Sequence, residues 1–316
     1  MKSRYALLTV DTEALPARAT EDHIDRLILG RHEGGTAGVR EMSSIGNEFN
    51  AKHVFFVDMC ATYSRLDEMS EVVRWLDNDG QDVQLHAHPE VLPESFWMSN
   101  GFEARPARMN EYADDTRATF VLEFFCKQIK QITGKDVLAF RAGSFRWNAG
   151  TIRALKAANI PLSFNNTMRA YRMKRCTYSE PTNRPYTWSN GVVEVPVTEK
   201  YIPARADREE RWASLTYPES SYFPYSPPRR TFLSAFRSGN ANLSVFLLHS
   251  WSLLYWDEKG RATYRDDRRL EGYRSLLSQV AKDYDVITAR DFLDLYSRGK
   301  IRTTHTVNID NAELKK

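Results

Sequence analysis

The chain has 316 residues, 42% of them hydrophobic, and 44 basic residues against 41 acidic ones, a net charge of +3. That near balance gives no call for nucleic acid or an anionic membrane surface as a partner, and no stretch reaches the roughly 18 apolar residues that a membrane span needs. Cys60, Cys126 and Cys176 are odd in number and far apart, which excludes a zinc-knuckle spacing and a disulfide framework. The N-terminal apolar run, about six residues, is too short for a signal-peptide core, so the expectation is a cytoplasmic protein with reduced thiols.

Along the chain, short apolar runs alternate with helical periodicity. Tyr5 to Val10 reads as a buried strand. Asp22 to Leu29 and Val39 to Phe49 read as helices, and His53 to Val57 as a second strand. Met69 to Leu76 is helical and stops near Gly80. Val83 to Leu85 is a third strand. Arg117 to Ile132 is a long helix closed by Gly134. Val137 to Phe140 is a strand, Thr151 to Ala158 a helix capped by Asn148, and Pro161 to Phe164 a short strand. Val192 to Val195 and Leu243 to Leu248 are two more strands. Arg269 to Ala281, Val286-Ile287 and Ala289 to Tyr296 complete the series as helix, strand and helix. Such alternation implies parallel β/α units, about seven of them. The expected fold is α/β, a distorted (β/α)7-type barrel, in one domain over 1–300. Two long irregular segments, 91–112 and 197–240, interrupt it, and the polar tail, 301–316, is expected to be frayed. The basic clusters Arg229-Arg230 and Arg172-Met173-Lys174-Arg175 read as solvated loops. The 31–38 segment, RHEGGTAG, lacks the Lys-Ser/Thr of a phosphate-binding loop and reads as a glycine-rich turn.

Position gives the polar residues their interest. The first strand runs into Asp11-Thr12-Glu13, the second ends at Asp58, and the third ends at His86 and His88. The strand at 137 ends at Arg141, and that at 243 ends at His249. In a parallel barrel the C-terminal strand ends share one face, and that face carries the active site. Residues i and i+2 of a strand point to the same side, so His86 and His88 can offer two imidazoles to one ion. Asp11 and Glu13 have the same spacing. Two histidines, one carboxylate and a position for water form a common catalytic metal arrangement.

These segments resemble the polysaccharide deacetylases, carbohydrate esterase family four. LLTVDTE resembles the family's acidic motif, AKHVFFVD its second strand, VQLHAHPE its histidine motif, ITGKDVLAFRAGSFRWN its arginine motif and LLHSW its late leucine–histidine motif. Together they run from about residue 5 to 251. The family's adjacent aspartates are replaced here by Asp11, Thr12 and Glu13, and its H-x-x-x-H by H-x-H. The resemblance implies Asp11 as general base, Glu13, His86 and His88 as metal ligands, Arg141 as the partner of Asp11, and His249 as general acid. Asp58, Trp147 and Trp251 are candidate substrate-lining residues, with a cap or core role as the alternative for each. The implied cofactor is a divalent metal, zinc first, with cobalt, nickel or iron as alternatives. The implied reaction removes an N-acyl group, acetyl first, from an amino sugar or glycan precursor, without nucleic acid or a membrane span. Alternatives are a non-catalytic carbohydrate-binding relative and a metal-dependent hydrolase of another C–N amide.

Overall fold

The computed structural model of the chain describes residues 4–14, 22–176, 182–207, 209–218 and 242–313. The pair Arg229-Arg230 and most of the 197–240 segment beyond residue 218 lie outside these. A ten-stranded, largely parallel sheet carries the fold. Its order is Leu243–His249, Tyr5–Thr12, His53–Asp58, Asp82–Ala87, Ala139–Ala142, Leu162–Ser163, Val193–Glu194, Tyr186–Trp188 and Thr306–Val307, with Asp285–Val286 also paired to Tyr5–Thr12. The sheet is curled, with helices in the crossovers, as a (β/α)7-type barrel requires.

Backbone contacts group the chain into two compact units. The first comprises Met1–Phe55, Trp75–Asp82 and Val197–Ile301. At its centre Tyr5–Thr12 runs parallel to Leu243–His249, in register from Tyr5 opposite Leu243 to Asp11 opposite His249. Ala6, Leu7, Leu8 and Val10 are fully buried, which is why the run is continuously apolar rather than alternating. Burial of each such Leu or Val stabilises the fold by about 1.5–3 kcal/mol. The helices Val39–Glu48 and Arg268–Asp283 pack together, tied at the surface by Arg274 Nε to Glu48 Oε2 at 2.8 Å. Residues 31–38 form a small hairpin, Arg31–His32 against Gly35–Thr36. A Cβ on Gly35 would stand 2.4 Å from the Tyr264 ring, so a larger residue there would have to displace that ring.

The second unit comprises Phe56–Arg74, Val83–Pro196 and Arg302–Lys316. Its helix Thr116–Thr133 buries Ala118, Val121, Leu122, Phe125 and Ile129 and stops at Gly134, whose φ is +72°. The 91–112 segment is less irregular than its sequence suggests. It contains the helix Glu94–Ser99, which delivers Phe96 and Trp97 into an aromatic cluster with Phe102, Phe120, Phe124 and Phe125. The helix Ala149–Ala157 begins as expected at Asn148, whose side chain accepts from Thr151 N at 3.0 Å. The polar tail does not fray through 313. Thr306–Val307 pairs in parallel with Tyr186–Trp188, and Val307 and Ala312 are fully buried.

One of the seven histidines belongs wholly to the core. His53 is fully buried, its Nε2 lies 2.7 Å from the Tyr273 hydroxyl, and burial lowers its pKa from 6.5 to about 4. A folded-state pKa below the unfolded one means that the unfolded chain takes up the proton first as pH falls through 6.5. The stability advantage of the wild type over His53→Gln is therefore expected to be full at pH 7 and to shrink by up to about 3 kcal/mol on descending to pH 4. Urea unfolding of both proteins across this range measures it, and a pH-independent difference would contradict a neutral core histidine.

Candidate metal and catalytic site

His86 is the penultimate residue of the strand Asp82–Ala87 and stands opposite Arg141 in the parallel pairing with Ala139–Ala142. Its Nδ1 lies 2.8 Å from the backbone carbonyl oxygen of Arg141. A carbonyl only accepts, so Nδ1 carries the hydrogen and the lone pair of the neutral ring is on Nε2. His88 follows one step beyond the strand. Its Nδ1 lies 3.0 Å from Glu90 Oε1, a carboxylate held below its ordinary pKa despite its burial by the hydrogen bond and charge of His88. The two rings meet edge to face, with centroids 5.0 Å apart. Each histidine thus has Nδ1 engaged by an acceptor, the arrangement that orients an imidazole for metal binding through Nε2.

Two neighbours hold His88 in place. Asp58 is fully buried, and its Oδ1 accepts from Cys60 N at 2.9 Å and from His88 N at 3.4 Å. It anchors the backbone on which His88 sits. Gly143 backs the ring so closely that a Cβ there would stand 2.5 Å from His88 Nδ1. Ser144 and Phe145 follow with φ of +54° and +55°. Two successive non-glycine residues in the left-handed region are uncommon, and such strain concentrates at functional sites.

Asp11 and Glu13 are 3% and 5% exposed. His249 Nε2 lies 4.0 Å from Asp11 Oδ2 and 3.8 Å from Glu13 Oε1. This closeness follows from the register, since Asp11 and His249 are direct partners in neighbouring parallel strands. Ser250 N donates to Asp11 O, and Ser252 Oγ accepts from His249 N, each at 2.9 Å. His249 stacks on Trp251 with centroids 5.0 Å apart, and its side chain keeps 33% exposure. Two buried carboxylates thus stand beside a half-open imidazole.

Glu13, His86 and His88 form a group, all buried, whose three ligand atoms lie within 4.8 Å of one another. Two oriented imidazoles and a carboxylate suit a divalent cation of the zinc type. Arg141 is fully buried; its Nε donates to Phe164 O at 3.3 Å and its guanidinium lies 4.5 Å from the centre of the Phe56 ring. Trp147 is fully buried against Trp188. Trp251 is 7% exposed and meets Trp256, which is 39% exposed, edge to face. Sequence reading missed Glu90, Gly143 and Trp256. Glu90 carried no strand-end signal, because it lies on the 3-10 turn Pro89–Val91 beyond the strand.

No family model matches the sequence, and no curated protein matches it. Solved structures do match. A candidate polysaccharide deacetylase from Mycobacterium smegmatis is 16% identical, aligns over 96% of this chain and 93% of its own, and has a TM-score of 0.57. A candidate glycoside hydrolase/deacetylase from Parabacteroides distasonis is 11% identical over 94% of this chain and 72% of that one, with a TM-score of 0.62. A 4-alpha-glucanotransferase from Thermococcus litoralis is 13% identical over 98% of this chain but 42% of that one, with a TM-score of 0.58. At these identities the likeness is one of fold: the chain has the polysaccharide deacetylase fold. The glucanotransferase shows that the same architecture occurs in a protein named for other sugar chemistry, so function has to be argued from the site.

Gly143→Ala is expected to displace the His88 ring, and Glu90→Gln to remove the carboxylate that orients it. Each should weaken zinc affinity by about 10- to 100-fold, read by competition with a chromogenic chelator, with the far-ultraviolet circular dichroism unchanged. Wild-type affinity in both variants would mean that His88 is not a ligand.

Proposed function

We propose that the chain is a metal-dependent hydrolase that removes an N-acyl group, acetyl first, from an amino sugar or glycan precursor. The observation that carries this reading is the buried Glu13, His86 and His88 group, with both histidines oriented through Nδ1 and with Asp11 and His249 alongside Glu13. Glu13, His86 and His88 would hold the metal, with zinc the first expectation. A divalent cation bound there polarises an acyl carbonyl and acidifies water.

The remaining chemistry belongs to the chain's own groups. Asp11, buried and with a carboxylate oxygen 4.0 Å from the imidazole, takes the proton of the attacking water as general base. Arg141, fully buried, would pair with Asp11 and orient it in this reading. His249 combines closeness to both carboxylates with 33% exposure, which suits a general acid that protonates a departing amine. Stacking on Trp251 restrains its ring. An amine leaves poorly without a proton, so the acid is as necessary as the base.

Incubation with a panel of N-acetylated amino sugars and their oligomers is expected to release acetate. Asp11→Asn should lower kcat by about 100- to 10,000-fold while metal binding persists. Full activity in Asp11→Asn would remove it as the base, and no acetate from any member of the panel would overturn the deacetylase reading.

A further inference from the structure

The basic cluster at 172–175 reads in sequence as a solvated loop, but the fold gives its last member a partner. Trp147 and Cys176 form an isolated parallel bridge. Arg146 and Arg175 each stand one residue before this bridge, close enough that the charge of Arg146 acts on the Arg175 guanidinium. Arg175 Nη1 donates to Ser144 O at 3.3 Å, which brings its guanidinium over the turn that backs His88. Asn110 Nδ2 donates to the Arg175 carbonyl at 3.0 Å and docks the 108–111 turn alongside. Arg108, on that turn, has Nε 3.6 Å from Glu90 Oε1, the carboxylate that orients His88.

Arg108 has carboxylate neighbours in Glu90 and Glu111. Arg146 and Arg175 form no ion pair with a described residue. Partial burial, together with the charges of Arg146, Arg169 and Arg108, pushes the Arg175 guanidinium below its ordinary pKa. Like charges this close repel, and an anion bound between Arg146 and Arg175 would relieve that repulsion. Planar guanidinium forks suit phosphate and carboxylate oxygens.

We infer that Arg146 and Arg175, with Arg108 at their edge, form an anion subsite beside the proposed metal centre that takes a phosphate or carboxylate group carried by the substrate. This rests on the hydrolase reading for its purpose but not for its detection. It narrows the substrate class to an acylated amino sugar that carries a negative group, either a phosphate ester or a uronate.

The test is calorimetric titration with inorganic pyrophosphate and, separately, with glucuronate. Three proteins are compared: wild type, the R146A/R175A double variant and His88→Ala, each checked for folding by circular dichroism. Wild type and His88→Ala are expected to bind the better of the two probes alike, the double variant at least about tenfold more weakly, and the affinity to fall with added salt. A preference for pyrophosphate assigns the phosphate source, and a preference for glucuronate the uronate. Equal binding by wild type and the double variant would overturn the subsite, as would loss of binding in His88→Ala alone, which places the probe on the metal. Arginine-dependent binding without any acetate release would leave the subsite standing and remove the hydrolase reading instead.

Discussion

The hydrogen bond from His86 Nδ1 to the backbone carbonyl of Arg141 is the constraint on which the site turns. It arises from sheet pairing itself, because His86 and Arg141 are partners across two parallel strands. A backbone carbonyl cannot change its protonation state or rotate away while the ladder is intact. It therefore fixes the imidazole tautomer more rigidly than a side chain could. His88 lies one step past the strand and lacks this ladder partner. Glu90, Asp58 and Gly143 replace it with a carboxylate, a backbone anchor and a steric backstop. The two histidines reach the same orientation by different means, one from secondary structure and one from packing.

The same logic governs Asp11 and His249. Residues 238 apart in sequence become neighbours because two strands pair in register over seven positions. Burial then separates their surroundings. The carboxylates are closed from water, where charge interactions are strong, while the imidazole keeps a third of its side chain open.

Much of this was legible because continuous apolar runs mark buried parallel strands and their last residues mark the functional edge. Tyr5 to Val10 and Leu243 to Leu248 needed no tertiary information. H-x-H at a strand end gave the shared side directly. The less legible parts lie where the backbone leaves regular structure. Glu90 acts from a 3-10 turn, where strand alternation lapses. Gly143 and Arg146 act from a turn with left-handed residues that no periodicity marks. Thr306–Val307 is a two-residue strand in a polar context, visible only through its pairing with Tyr186–Trp188. Trp147 looked like Trp251 from sequence, as each lies near a motif residue, yet one is core and the other touches His249.

Elemental mass spectrometry of the purified protein beside His86→Ala tests the central claim most directly. The account predicts about one divalent transition metal per chain in the wild type, as isolated or after incubation with zinc, and loss of it in a variant that remains folded. A wild type that holds no metal even in excess zinc would contradict the site. The paired histidines would then be a structural relic, and ligand binding without hydrolysis would be the function to pursue.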